Sequence, residues 1–239
     1  MISLYNKQNK GEIMKQSKKH RSELRYNEED ERTLLEDILG FIKVFVVSAI
    51  VVIVFVNFVA HPVTVVGRSM DPTLQNGEFG FTSLISLASG NVNRGDVVVV
   101  KMTENEETSL WVKRVIGLPG EIVSCQNDEI YINGEKLDES KYIDSNRKQK
   151  YLDQNEYGFN QVIAKVVDEN GLPVTNDRGN QQYVSVDFDP VTLADDEYFV
   201  MGDNRPVSKD SREVGPVKKS QLYGKGVLVL FPLNKIGVH

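Results

Sequence analysis

The chain carries a single cysteine, Cys125, in 239 residues, so no disulfide framework can staple it. The setting that fits is a cysteine-sparse one, such as a Gram-positive surface. Following Ile122 and Val123, Cys125 reads as a small buried apolar side chain. Histidine is nearly as scarce: His20 falls in the amino-terminal tail, His61 at the end of an apolar run and His239 at the last position. None is placed to serve a catalytic triad. There is no H-E-x-x-H and no pair of cysteines, so metal-assisted hydrolysis lacks its ligands. A net charge of −6 offers no basic footprint for nucleic acid. Helical periodicity is wanting too, with no helix of convincing period after residue 61.

What the sequence does have is one long uncharged run. Residues 44–60 read VFVVSAIVVIVFVNFVA, and Ile38, Leu39, Phe41 and Ile42 extend the run across Lys43, whose amine can snorkel to lipid headgroups. Residues 38–60 are therefore long enough to span a bilayer. A cleavable leader has a short charged region, whereas 43 residues precede this run, and Phe58 stands where a small residue should precede a cut. An uncleaved transmembrane anchor is expected. Lys7, Lys10, Lys15, Lys18, Lys19, Arg21, Arg25, Arg32 and Lys43 lie before the uncharged run, against Arg68 alone as far as Arg94 behind it. That asymmetry predicts a cytoplasmic tail over residues 1–37, a single pass through the cell membrane, and an extracellular remainder.

Past the anchor the apolar period shortens to that of strands. Residues 63–66, 97–101, 110–116 and 226–231 are rich in Val, Ile or Leu and predict a β-rich domain with several strands buried on both faces. Residues 129–137 alternate around Asn133-Gly134, a strong hairpin signal. Over residues 138–190 the composition shifts to Asp, Asn, Gln and Lys, with short β-like runs at 161–167 and 182–188. This stretch reads as a polar insertion lobe on a core formed by residues 61–137 and 191–239, and the core is expected to work without it. The lobe contains Ser145-Asn146-Arg147-Lys148, a formal S-x-x-K match. Its hydrophilic neighbours cannot desolvate Lys148, so it reads as chance.

Serine is a weak nucleophile without an adjacent base. The stretch Gly67-Arg68-Ser69-Met70-Asp71-Pro72-Thr73-Leu74 begins seven residues after the apolar run ends, and Lys113 follows in Trp111-Val112-Lys113-Arg114-Val115-Ile116. Strand alternation puts Lys113 on the face of Trp111 and Val115, the face expected to be buried. Burial disfavours the ammonium, and a neutral lysine can take a serine proton. A turn-borne serine and a strand-borne lysine beside a membrane suggest a Ser-Lys peptidase. Taken singly, Ser69 also reads as a turn serine, Met70 as core filler and Gly67 as a turn glycine.

Four ordered blocks carry a resemblance. They are residues 69–74 (SMDPTL), 94–98 (RGDVV), 113–121 (KRVIGLPGE) and 202–215 (GDNRPVSKDSREVG), and with the anchor they make the chain similar to the type I signal peptidases of the Gram-positive, Ser-Lys kind. The resemblance covers most of residues 60–232. It implies a mostly β, antiparallel catalytic domain of the signal-peptidase/LexA-like type, no cofactor, and cleavage of signal peptides from exported preproteins after small residues in an A-x-A pattern. It also implies Ser69 as nucleophile and Lys113 as general base. The last block is then expected to lie over that pair, with Ser208 accepting a hydrogen bond from Lys113, Asp210 pairing with Arg212, and Asp203 pairing with Arg114. Gram-negative members carry a serine hydroxyl as oxyanion donor where this chain has Gly67, so backbone amides, that of Ser69 first, are expected to serve. Met70 is expected to make shallow membrane or substrate contact.

Two other readings share the fold. A LexA-like self-cleaving protease needs a soluble chain with a DNA-binding domain, against which residues 44–60 argue. A non-catalytic membrane-anchored assembly factor is expected to lose the serine or the lysine, and both are present. The expected partners are secretory preproteins and the lipid bilayer, with no nucleic acid; the sequence says nothing of oligomeric state.

Overall fold

The structure, a computed structural model, describes residues 35–88, 90, 92–104 and 106–239. The expected cytoplasmic tail, with His20 and every basic residue before Lys43, lies outside the described residues except for positions 35–37. The chain divides into two compact units, residues 1–55 and 56–239. Most of helix α1, Leu35–Phe58, belongs to the first, and it is long and apolar enough to cross a membrane. Leu39, Phe41, Phe45 and Ile50 are exposed around it. A helix apolar on every side is what a lipid-facing span requires.

The second unit is built from strands β1 Ala60–Thr64, β2 Phe79–Ser83, β3 Val97–Glu104, β4 Glu107–Gly117, β5 Ile122–Gln126, β6 Glu129–Ile132, β7 Glu135–Lys136, β8 Val162–Lys165, β9 Tyr183–Val186, β10 Val191–Thr192, β11 Glu197–Met201, β12 Val217–Lys218, β13 Leu222–Phe231 and β14 Gly237–Val238. The main sheet runs β1-β2-β13-β3-β4-β11-β12, with β14 against β13. A second sheet runs β10-β5-β6-β7, and β8 pairs with β9 alone. The ladders are antiparallel throughout.

The central strands are buried on both faces, and their sequence shows why. In β3, Val98, Val100 and Met102 join Val115, Tyr198 and Val200 in one core cluster, while Val97 and Val99 pack with Val63, Met70, Leu74 and Val227 in another. Each such valine contributes roughly 1.5 kcal/mol or more by leaving water. β11 divides in the same way, since Phe199 and Met201 join Ile116, Val123 and Ile130 under the second sheet. The Asn133-Gly134 turn has φ of 52° and 85°, the left-handed pair that a two-residue hairpin needs between β6 and β7.

Three α-helices follow residue 61 among the described residues although no helical period announces them: α2 Leu84–Ala88, α3 Ser145–Gln154 and α4 Ser211–Val214. α3 escaped notice because it has no apolar stripe and no fully buried residue. Its start is set by Asp144, whose carboxylate caps the Asn146 N–H at 2.9 Å. Polar bonds fasten it to the core instead. Arg147 donates to the Asp71 carbonyl at 2.6 Å, and Lys148 to the Asp128 carbonyl at 3.1 Å.

Candidate active site

Ser69 sits in a tight turn between β1 and β2, closed by Leu74 N–H donating to the Met70 carbonyl at 3.0 Å. Leu74 and Met70 are buried beneath it and fix the turn to the core. On top, Asn204 holds the turn from the opposite side. Its backbone N–H donates to the Ser69 carbonyl at 2.9 Å, and its side-chain amide donates to the Arg68 carbonyl at 2.9 Å. The nucleophile candidate thus has a backbone clamped above and below.

Lys113, on β4, is only 4 % exposed, and its Nζ donates to Ser69 Oγ at 2.8 Å. Burial lowers its pKa from 10.5 to about 8; Asp210 opposes that shift, Arg212 adds to it and Asp203 opposes it. Trp111, two residues earlier on the same face, places its ring 5.5 Å from the amine.

One carboxylate ties the two halves of the pair together. Asp203 receives Arg114 Nε at 2.8 Å and Nη2 at 2.6 Å, and also the Thr73 hydroxyl at 2.6 Å. Arg114 adjoins Lys113 on β4, and Thr73 lies in the Ser69 turn. A single fully buried side chain therefore sets the strand against the turn, through a bidentate ion pair that also stacks over Tyr142 at 4.4 Å. Asp210 performs a similar task one loop away. It caps α4, accepts the Gly202 N–H at 3.0 Å, and receives Arg212 Nε at 2.8 Å and Nη2 at 2.9 Å. Burial pushes the Asp210 carboxyl upward, but Arg212 and the Gly202 amide outweigh it, and its pKa stays below the usual carboxylate value.

Gly202 is required by proximity. A Cβ there would stand 2.3 Å from the Ser208 hydroxyl and 2.3 Å from the Ser69 carbonyl oxygen. The expected Lys113 to Ser208 hydrogen bond is not formed. Lys113 points its amine at Ser69, and the buried Ser208 hydroxyl meets no hydrogen-bonding geometry among the described residues, though it lies near enough to Asp210 to help hold that carboxyl down.

Two further expectations change. Met70 is 2 % exposed and packs among Val63, Val65 and Leu74, so it has no surface to offer a membrane, although it lines the cleft beside Ser69 where a substrate would lie. The Gly67 N–H, at φ of 93°, donates to Asn76 at 2.9 Å and is not free for an oxyanion. The Ser69 N–H has no acceptor among the described residues. Beside the serine opens a cleft of about 320 Å³, walled by Val65, Leu110, Val112 and Val207. Among the described residues no group of His, Cys, Asp or Glu is arranged to hold a metal. Cys125 is buried, and burial together with Asp187 pushes its thiol up to about 12, leaving it inert.

The expected separability of residues 138–190 also meets contrary contacts. Arg205 is 1 % exposed and is held by Asn160 and by an ion pair to Glu139. Arg212 reaches the Asn160 and Gln161 carbonyls at 3.3 and 3.4 Å. The polar stretch thus satisfies buried arginines of the loop over Lys113, a role that polarity alone does not distinguish from solvation. Asn204, Arg205, Asn160 and Glu139 were missed as site residues. For the first two, their place inside the 202–215 block was the available signal.

The family model for signal peptidase, peptidase S26, matches residues 38–231. The chain belongs to that family. Signal peptidase I S of Bacillus subtilis (strain 168) is 36 % identical over 202 residues, covering 84 % of this chain and 93 % of the relative. Signal peptidase IB of Staphylococcus aureus (strain COL) is 34 % identical over 200 residues, covering 84 % and 93 %. A crystal structure of a signal peptidase I from Enterococcus faecalis V583 aligns at 27 % identity over 56 % of this chain and 95 % of that one, with a TM-score of 0.35, too loose to bear on the fold. Membership of this family of serine endopeptidases makes the Ser69 cleft the place to look for its chemistry.

Proposed function

We propose that this signal peptidase family member cuts signal peptides from exported preproteins by Ser-Lys catalysis. The contact between Lys113 Nζ and Ser69 Oγ, 2.8 Å long and made by a buried lysine with a pKa of about 8, carries that reading. Near pH 7 about a tenth of such a lysine is neutral, against less than about one part in a thousand for an exposed one. Neutral Lys113 takes the Ser69 proton as Oγ attacks the scissile carbonyl carbon. The oxyanion that forms is met by the Ser69 N–H. Collapse expels the new amino terminus, which receives the proton from Lys113, and leaves an ester on Ser69. Lys113 then deprotonates water, whose attack releases the signal peptide and restores the hydroxyl.

The Val65, Leu110, Val112 and Val207 side chains that wall the cleft beside Ser69 favour small uncharged residues at the first and third positions before the cut. Residues 1–37 are the cytoplasmic tail, 38–60 an uncleaved anchor, and 61–239 the catalytic part outside the cell membrane, with 138–190 an added lobe that braces its loop. Full-length protein in detergent should process a preprotein with Ala at both positions and fail when either is Leu. Equal processing of the Ala and Leu forms would sink the specificity reading. Protease added to intact cells should digest residues past 60 and spare a tag on the tail; the reverse pattern would sink the orientation.

A further inference from the structure

A second groove, of about 330 Å³, adjoins the cleft described above. The two share Arg68 and Val207 as lining residues, so they lie side by side, with Ser69 lining the first. The second groove is lined by Arg147 and Tyr151 from α3, by Phe159, and by Asn204, which clamps the Ser69 turn. Tyr151 and Phe159 meet edge to face at 5.8 Å and form an apolar floor. The charges above that floor are unequal. Arg68 is paired with Asp71 at 3.2 Å, whereas Arg147 uses one nitrogen on the Asp71 carbonyl and has no carboxylate partner among the described residues. Its remaining donors are available to a ligand.

A peptide bound across Ser69 fills the first cleft and has the second groove within its reach. The first cleft has Val65, Leu110, Val112 and Val207 in its walls, its cations Arg68 and Lys209 are each paired with a carboxylate, and its backbone segments at 64–66 and 110–112 can flank an extended chain, which suits uncharged residues before the cut. Guanidinium groups find no counter-charge in such residues. They suit the segment that follows, where the exported protein's own charges begin. We propose that the Arg147 groove is the subsite for the mature side of the substrate and that it favours an acidic side chain among the first three residues after the cut. This rests on the proposed reaction at Ser69, and it gives α3, a polar helix with no fully buried residue, a role in substrate choice.

The test uses full-length protein in detergent and one preprotein carrying Ala, Asp or Lys at each of those three positions in turn, with kcat/KM as readout. Asp should exceed Lys about three- to fivefold at one position or more, the size of a solvent-screened charge pair, and the ratio should shrink as salt rises. Arg147→Lys should keep the preference, Arg147→Gln should bring the ratio to about one, and Arg147→Glu should invert it. A wild-type ratio of one at all three positions, or a ratio that survives in Arg147→Gln while overall activity falls, would overturn the proposal; the latter would mean that Arg147 only braces the Asp71 carbonyl. Failure of the wild type to cut the Ala substrate would overturn the reaction at Ser69 as well.

Discussion

Lys113 should impose its own titration on the reaction. Its pKa of about 8 stands some 2.5 below the value of 10.5 expected in water, and the direct cause is burial. Only the neutral amine accepts the Ser69 proton, so kcat/KM should climb about tenfold per pH unit up to pH 7 and level off above about 8. An unperturbed lysine would place that midpoint above pH 10. The same shift affects stability. Between pH 8 and 10.5 the unfolded chain binds more protons at this site than the folded one, so stability rises with pH through that window. Below it the folded state bears the full penalty of a buried ammonium, about 3 kcal/mol. Lys113→Met, which removes the charge but keeps most of the volume, should abolish cleavage. At pH 7 it should stabilise the protein by about 2 kcal/mol after the lost Ser69 hydrogen bond is allowed for. The assays are a pH series on a signal-like substrate and chemical denaturation of both proteins. A flat profile between pH 6 and 9, together with a Lys113→Met variant less stable than wild type, would show that Lys113 carries no buried charge penalty and is not the base.

Asp203→Asn leaves Arg114 buried without its counter-charge and should cost about 3 kcal/mol or more; a change below about 1 kcal/mol in denaturation would show that the pair does not hold β4 to the Ser69 turn. Gly202→Ala forces a methyl against the Ser69 carbonyl and the Ser208 hydroxyl, and kcat should fall by a hundredfold or more on the order of general experience with displaced reacting groups, with wild-type turnover as the contrary result. Asn160→Ala leaves Arg205 short of a buried acceptor and should destabilise the protein by about 1 to 3 kcal/mol, and replacing residues 145–180 by a Gly-Ser link should stop hydrolysis even of a short peptide. Full peptide cleavage by the shortened protein would restore the picture of a dispensable insertion.

Local patterns were legible in the sequence and long-range polar ones were not. The valines of β3 and the alternation of β4 announce themselves because side-chain direction follows from strand geometry alone, and the β6–β7 turn is dictated by Asn133-Gly134. β2 was overlooked because Gly80 interrupts it, yet that glycine is there to let the Leu228 carbonyl approach, 2.0 Å from where a Cβ would be. Ser69 and Lys113 were singled out in separate blocks, and the fold brings them together across 44 positions. The supporting residues divide by chemistry. Oppositely charged side chains such as Arg114 and Asp203 suggest each other as partners, whereas Asn204 and Asn160 act through carbonyls and a guanidinium that no periodicity reveals. Sequence places Ser208 and Lys113 in one site without fixing which way the amine points, and it turns to Ser69 instead.

In the proposed reaction Ser69, activated by Lys113, performs the cut. Its most direct test is processing of one preprotein by purified full-length wild type and by Ser69→Ala, with the product's new amino terminus sequenced. The wild type should release a single mature chain beginning after a small residue, and Ser69→Ala, correctly folded and inserted, should release none. Substantial release of the same mature chain by Ser69→Ala would contradict the account.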